Sequence, residues 1–255
     1  ATPDVERQFV FTVETAAKIF IDWGDGELVE TEQIAEAWKE GGVIDPEWAN
    51  YQPTTITGTT KGEGVIKIYG DIVYFDCGYS NSYGSKVTAL DVTNAPYLVR
   101  MNISSNEIPT LDLSNNTMLY TLTLDNNTTL TSVTLPSENQ LISISALNCA
   151  LTSFNVSSCL ALKSLVLNGN AGLETLDVSA NTALTELKAN GTGLTTIDLS
   201  ANTSLNALYL NDNQLTSLDV SQMRKGDATR IYIFANNNNL SELITSEEVL
   251  LSSTR

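Results

Sequence analysis

Residues 194–221 read LTTIDLSANTSLNALYLNDNQLTSLDVS, and this stretch decides the fold. It contains two half-units of the form LxxLxLxxN, the second of which runs Leu205, Leu208, Leu210, Asn213. The L-x-L core alternates with period 2, so each half-unit predicts a short strand with its leucines facing inward. The asparagine then closes the strand, because its amide satisfies backbone groups of the turn that would otherwise be buried without partners.

The same unit recurs along the chain with a regular period. Successive triplets of the Leu-Asp-Val type begin 21 or 22 residues apart, at Leu90, Leu111, Val133, Phe154, Leu176, Ile197 and Leu218. One period of two half-units predicts one coil of strand, turn, strand and turn. Stacked coils repeat at about 4.8 Å and pair along two opposite sheets. The repeat therefore predicts a mainly β solenoid.

This repeat resembles the short bacterial leucine-rich repeat and is similar to repeats of Bacteroidetes surface and secreted proteins. The resemblance covers about residues 72–245 and implies a right-handed solenoid of about 21-residue coils, with strands on both faces and inward asparagine ladders. The expected ladders are Asn106, Asn127, Cys149, Asn170, Thr192, Asn213 and Asn236 on one side, and Asn116, Glu138, Cys159, Asn181, Asn202 and Met223 on the other. Cysteine commonly replaces asparagine in such ladders, so Cys149 and Cys159 are expected to be buried free thiols.

The first third of the chain has a different pattern. Strands are predicted at residues 8–14, 18–23, 54–60 and 65–69. Trp23-Gly24-Asp25-Gly26 predicts a tight hairpin turn, with glycines for positive φ. This arrangement resembles a PKD-like β-sandwich. The resemblance implies an N-terminal domain over residues 1–70, ahead of a solenoid with a C-terminal cap over residues 71–255.

Residues 31–40 (TEQIAEAWKE) interrupt this β pattern and predict a short helical insertion. Thr31 would be its N-cap, Ile34 and Trp38 would share one face, and Gly41-Gly42 would end it.

Both ends of the predicted solenoid are expected to be covered, because unpaired strand edges aggregate. The N-terminal domain would close the first coil near Ile72. Residues 246–251 would fold over the last coil as a cap.

The composition narrows the function classes. Thirteen Lys+Arg against 30 Asp+Glu give a net charge of −17, which repels nucleic acid and anionic membranes. No histidine is present, which excludes His-based catalytic triads and His-containing zinc sites. No apolar run is long enough to predict a transmembrane segment. An export signal, and a lipid anchor if there is one, would lie in a leader that this sequence does not include.

The carboxylates are numerous, but their arrangement favours a structural role. The regular ones are Asp91, Asp112, Asp177, Asp198 and Asp219. They would lie in one row along a flat sheet, whereas a glycosidase needs two carboxylates across a cleft. The Asp22–Gly26 turn lacks the ligand pattern of an EF-hand calcium loop. The sequence therefore predicts no enzymatic activity, no cofactor and no metal site.

The two solenoid faces differ in how much they vary between coils. On the face with the Leu-Asp-Val triplets, which we call the constant face, outward residues are small and polar in nearly every coil. On the opposite, variable face they differ, and aromatic and cationic residues gather toward the C-terminus, as in interface hot spots. The predicted ligand-binding residues are Lys188, Tyr209, Arg230, Tyr232 and Phe234. Alternatively, Tyr232 and Phe234 pack beneath the C-terminal cap.

These features predict a non-enzymatic bacterial binding protein, extracellular or at the cell surface (outer membrane or periplasm), that binds an unknown protein through the variable face. One alternative is a glycan-binding module of a polysaccharide-uptake system, with Tyr209 and Tyr232 as stacking platforms. Another is a structural spacer or display stalk.

Overall fold

The computed structural model describes residues 5–37, 39–40, 43–44, 46–47, 52–61, 65–78, 86–223 and 231–246. In these ranges the chain forms strands and turns, and no helix is present. The predicted fold class, a mainly β leucine-rich-repeat solenoid, is confirmed. Two small sheets precede the solenoid.

The N-terminal strands form two antiparallel sheets. The strands are β1 (Glu6–Val13), β2 (Ala17–Asp22), β3 (Leu28–Ile34), β4 (Lys39–Glu40), β5 (Val43–Ile44), β6 (Thr54–Thr59), β7 (Lys67–Tyr69) and β8 (Ile72–Asp76). One sheet runs in the order β6-β1-β8 and the other in the order β3-β2-β7. Trp23 at the end of β2 stacks on Phe9 of β1, with ring centroids 6.0 Å apart. The two sheets therefore share an aromatic core.

The turn after β2 is held by a side chain. Asp22 Oδ1 accepts hydrogen bonds from the backbone N–H of Gly24 at 2.8 Å and of Gly26 at 2.9 Å. These two bonds hold the pKa of Asp22 below its usual value. Gly24 and Gly26 have φ angles of 112° and 82°, so the predicted need for glycine at both positions is met.

The helix predicted over residues 31–40 is wrong. Strand β3 continues to Ile34, and Thr31 Oγ1 accepts a hydrogen bond from Ile19 N of β2 at 3.1 Å instead of capping a helix. Beyond β3, Val13 N donates to Ala35 O at 3.0 Å and Ala37 N donates to Val13 O at 2.8 Å. Neighbouring strands thus satisfy the backbone groups that a helix would have paired internally, which overrides the local helical pattern. Trp38 and the predicted Gly41-Gly42 stop lie outside the described residues.

The solenoid is built from three-residue strands. They are β9 (Arg100–Asn102), β10 (Thr110–Asp112), β11 (Thr121–Thr123), β12 (Ser132–Thr134), β13 (Ser143–Ser145), β14 (Ser164–Val166), β15 (Glu186–Lys188), β16 (Ala207–Tyr209), β17 (Ser217–Asp219), β18 (Tyr232–Phe234) and β19 (Glu242–Ile244). The middle residue of each variable-face strand points inward, and Leu122, Leu165, Leu187 and Leu208 are buried there. Their alternation with polar neighbours is what made the strand pattern legible in the sequence.

One sheet connects the two parts of the chain. On the variable face, parallel in-register pairing gives the order β18-β16-β15-β14-β13-β11-β9. This sheet continues into β8-β1-β6, because β8 pairs in parallel with β9. The expected cover on the first coil is therefore formed by β8. The predicted boundary between residues 70 and 71 falls just before β8, and the division into two domains stays a prediction.

The constant face has fewer regular strands, paired as β10–β12 and β17–β19. Its aspartates instead hold the turns that follow them. Asp198 Oδ1 accepts a hydrogen bond from Ser200 N at 2.9 Å, and Asp91, Asp112, Asp177 and Asp219 make the equivalent bond. Asn155 does the same with Ser157 N at 3.0 Å. The row of aspartates thus has a structural role in turn formation.

The inward asparagine ladder forms through most coils. Asn170 Nδ2 donates to Ala146 O of the preceding coil at 2.8 Å and to Leu167 O at 2.7 Å. Its Oδ1 accepts from Leu151 N at 3.1 Å. Cys149 and Cys159 occupy ladder positions as buried free thiols, as predicted.

Two ladder assignments need correction. Asn238, and not Asn236, donates to Leu210 O and Ala235 O, at 2.8 and 3.0 Å. The reason is a longer last step of 25 residues, so a fixed 21-residue spacing placed the turn two positions early. Glu138 is exposed, and Asn139 takes its place by donating to Pro136 O at 3.0 Å. A carboxylate has no N–H to donate there.

Each variable-face turn also contains one left-handed residue, which the sequence analysis did not identify. These residues, with φ between 52° and 78°, are Ser105, Asn126, Asn148, Gly169, Gly191, Asp212 and Asn237. Glycine, asparagine and aspartate dominate because they tolerate this conformation best.

Candidate functional site

The variable face brings four of the five predicted binding residues together. Register places Lys188, Tyr209 and Phe234 side by side on β15, β16 and β18, and places Tyr232 next to Ala207. Because strand alternation buries Leu187 and Leu208, these side chains point outward. We call Glu186, Lys188, Tyr209, Tyr232 and Phe234 the aromatic cluster.

The fifth predicted residue, Arg230, lies outside the described residues. The register nevertheless corrects its predicted position in the pattern. Ala207 pairs with Tyr232, so the outward residues of the last coil are Tyr232, Phe234 and Asn236 and not the triplet that begins at Arg230. The longer last step again accounts for this shift.

The core of the aromatic cluster is a stack of three side chains. The Tyr209 and Phe234 rings have centroids 4.9 Å apart and planes inclined by 14°. Lys188 Nζ lies 5.4 Å from the centroid of the Tyr209 ring. Lys188 and Phe234 belong to the strands on opposite sides of β16, so they cover opposite faces of the Tyr209 ring. What Tyr209 presents outward is its ring edge and hydroxyl group.

Glu186 completes the cluster, and the sequence analysis did not assign it a role. Its Oε1 lies 2.7 Å from Lys188 Nζ, and its Oε2 accepts a hydrogen bond from Ser164 Oγ at 2.9 Å. This ion pair fixes the position of the ammonium over Tyr209 and leaves the pair locally neutral. The available signal was its position two residues before Lys188, on the same face of one strand.

The two aromatic residues of β18 are the most accessible members of the cluster. Tyr232 is 43% exposed and Phe234 is 39% exposed, whereas Tyr209 and Lys188 are half-buried. Burial of Tyr232 beneath residues 246–251 is therefore not observed, although residues 247–251 lie outside the described part of the chain. Exposed aromatic side chains offer contact area to a partner with little conformational entropy to lose.

A row of asparagines borders the cluster. Asn190 N donates to Asn168 Oδ1, Asn211 N to Asn190 Oδ1 and Asn236 N to Asn211 Oδ1, each at 2.8 Å. These bonds link consecutive coils just beyond the outward aromatic residues. They hold the strand ends in register, so the cluster stands on a rigid support.

The N-terminal end of the same face is also polar, but its groups bond to one another. Asp76 Oδ2 accepts from Tyr74 OH at 2.9 Å and from Asn102 Nδ2 at 3.0 Å. Burial of the Tyr74 hydroxyl, together with this carboxylate, raises the pKa of Tyr74. Arg100 Nη1 donates to Glu47 O at 2.6 Å. Because these groups already bond to one another, we favour the C-terminal cluster as the binding site.

The remaining reactive groups have structural surroundings. The part of the chain that the structure describes contains no group of three or more Asp, Glu or Cys residues placed to hold a metal ion. Burial raises the pKa of the Cys149 thiol to about 11, and it also raises the pKa of Cys77 and Cys159. Thiols with raised pKa are poor nucleophiles at neutral pH. The described residues contain no helix that could cross a membrane.

No protein-family model and no curated protein sequence matches the chain. Among solved structures, it is similar to the functional domain of InlJ from Listeria monocytogenes, which includes a cysteine ladder. That match has 30% identity and a TM-score of 0.33, and it covers 59% of this chain and 42% of the other.

Two further solved structures are similar. A leucine-rich-repeat protein of Leptospira interrogans has 18% identity and a TM-score of 0.24, with coverage of 64% of each chain. An internalin (inlF) from Listeria monocytogenes has 17% identity and a TM-score of 0.20, with coverage of 71% of this chain and 84% of the other. This chain thus spans less than two thirds of the InlJ and Leptospira chains. By its own repeat and strand register, it folds as a leucine-rich-repeat β-solenoid.

Proposed function

We propose that this chain is a non-enzymatic binding protein of a bacterial cell surface or of the secreted fraction. It binds a protein partner through the aromatic cluster at the C-terminal end of the variable face. The observation that carries this proposal is the exposed pair Tyr232 and Phe234, next to a Tyr209 ring held between Phe234 and Lys188.

The surroundings of the cluster support this choice. The preceding coils present mostly small residues such as Ser143, Ser145 and Ser164, so the aromatic rings are the bulkiest outward groups of these coils. An ordered aromatic group beside a fixed cation has the composition of an interface hot spot. The net charge of −17 favours a neutral or basic partner and speeds its approach at low salt.

The alternative partner is a glycan, for which Tyr209 and Tyr232 would be stacking platforms. A sugar ring stacks on the face of an aromatic ring. Both faces of Tyr209 are covered, one by Phe234 and the other by Lys188. Tyr209 therefore contacts a partner by its edge and hydroxyl group, which suits a protein surface better than a sugar ring. The spacer function has no observation in its favour.

A binding screen with matched variants tests the proposal. The purified chain is assayed against a panel of purified extracellular protein domains and against a glycan array. We expect a protein ligand whose affinity falls by more than about 1 kcal/mol, roughly fivefold in Kd, in Tyr232→Ala. Tyr97→Ala removes an exposed tyrosine elsewhere and is the matched control. A protein ligand indifferent to both Tyr209→Ala and Tyr232→Ala, or binding to glycans alone, would contradict the proposal.

A further inference from the structure

Exposed hydrophobic side chains are concentrated on the small β3-β2-β7 sheet. Phe20 of β2 and Tyr69 of β7 are cross-strand partners, so both side chains leave the same face. Leu28 of β3 and Val65, which precedes β7, lie beside them. These four side chains are each between 41% and 58% exposed. A contiguous apolar patch on a soluble chain marks a contact surface.

The charged groups on this face are paired. Lys18 Nζ lies 2.7 Å from Glu30 Oε2, and Lys67 Nζ lies 3.9 Å from Asp22 Oδ2. At the adjoining turn a third lysine, Lys61, pairs with a third carboxylate, that of Asp25, at 2.7 Å. Lysines and carboxylates thus balance here, on a chain whose net charge is −17. The rest of the surface is strongly acidic and repels another copy, whereas this face does not.

The strand order makes the face complementary to itself. Glu30 lies on β3 at one edge, Lys67 on β7 at the other edge, and Phe20 on the central strand. A twofold axis in the contact plane, parallel to β2, places β3 of one copy over β7 of the other. Phe20 then meets Phe20 of the second copy at the centre, and each Glu30 faces a Lys67.

We propose that the chain forms a weak homodimer through the outer face of the β3-β2-β7 sheet. The occupant is a second copy because the face has no net charge to attract an ionic ligand and because its two edges carry opposite charges. The patch is small, so the dissociation constant is on the order of 10 μM. The aromatic cluster lies on the other sheet, so it takes no part in this contact.

Molar mass measured by light scattering over about 1 to 200 μM protein tests the dimer. We expect the mass to rise with concentration from 27.6 kDa toward twice that value. Phe20→Ser is expected to weaken the dimer at least tenfold. Tyr97→Ser, which removes an exposed aromatic side chain elsewhere, should behave like the wild type. Raising the salt from about 20 to 150 mM should strengthen the dimer, since it screens the repulsion between two acidic chains.

Charge reversal tests the geometry of the contact. Glu30→Lys and Lys67→Glu are each expected to weaken the dimer, and the double variant should restore it, because opposite charges face each other again. Thermal melts verify that each variant is folded. A monomeric mass over the whole concentration range would overturn the proposal. So would a dimer that Phe20→Ser leaves intact, or a double variant no better than its parents.

Discussion

Tyr209 and Phe234 stack with their ring centroids 4.9 Å apart, although the chain makes its longest step between the strands that carry them. The distance matches the spacing of neighbouring strands, about 4.8 Å. In-register pairing of β16 with β18 therefore creates the stack. The extra residues of the last coil leave the sheet undisturbed.

This stack should contribute measurably to stability. We expect a coupling energy of about 0.5 to 1.5 kcal/mol between Tyr209→Ala and Phe234→Ala, the range for aromatic pairs. Chemical denaturation of the wild type, the two single variants and the double variant measures it. Additive effects would show that the rings are adjacent without stabilising each other.

The binding contribution of the exposed ring is separable from its packing. Tyr232→Phe removes only the hydroxyl group, so it should retain most of the affinity for a protein partner. Tyr232→Ala should lose more than about 1 kcal/mol with little change in melting temperature. Isothermal titration with the partner found in the screen distinguishes these variants. Equal losses in Phe and Ala would assign the effect to the hydroxyl group.

Burial predicts a gradient of core sensitivity toward the C-terminal end. Leu208→Ala should cost about 2 to 5 kcal/mol, because Leu208 is fully buried between neighbouring coils. Ile233→Ala, at the equivalent position of β18, should cost less, because Ile233 is only half-buried. Urea unfolding compares the two. A larger loss at Ile233 would mean that residues beyond β18 cover it more fully.

The ladder correction gives a matched pair of variants. Asn213 Nδ2 donates to Ala189 O at 2.7 Å and to Leu210 O at 3.0 Å, so Asn213→Ala leaves buried carbonyls without donors. We expect a loss of about 1 to 3 kcal/mol. Asn236→Ala, at the exposed position that spacing alone would have chosen, should cost less than about 1 kcal/mol. Thermal unfolding decides between the two positions.

The aspartate row predicts a pH dependence of stability. Hydrogen bonds from the backbone and hydroxyl of Ser200 hold the pKa of Asp198 below its usual value, and the four equivalent aspartates are lowered by the same two kinds of bond. A lower pKa in the folded state means that the stabilisation is complete above about pH 4. It is lost as the pH falls through the folded value.

A variant with all five aspartates changed to asparagine isolates this effect. Asparagine keeps the acceptor oxygen, as Asn155 shows with Ser157, but it does not titrate. The melting temperature of the wild type should therefore fall more steeply below about pH 4 than that of the variant. Calorimetry at several pH values measures both slopes. Parallel slopes would show that these carboxylates do not couple to folding.

The sequence by itself determined the solenoid and its inward and outward positions. The reason is that leucine alternates with polar residues at period 2 inside a unit repeated every 21 or 22 residues. Many local patterns that agree leave few alternative folds. The same alternation was enough to place Lys188, Tyr209, Tyr232 and Phe234 on one exposed face.

Tertiary structure alone decided what depends on a partner strand. Residues 31–37 read locally as a helix, but β1 and β2 accept and donate their backbone hydrogen bonds. The longer step before β18 moved the ladder from Asn236 to Asn238, because register follows pairing with β16 and not counted spacing. The Tyr209 stack and the neutral face around Phe20 likewise join residues from separate strands. Such contacts depend on which strands become neighbours, which a local pattern does not encode.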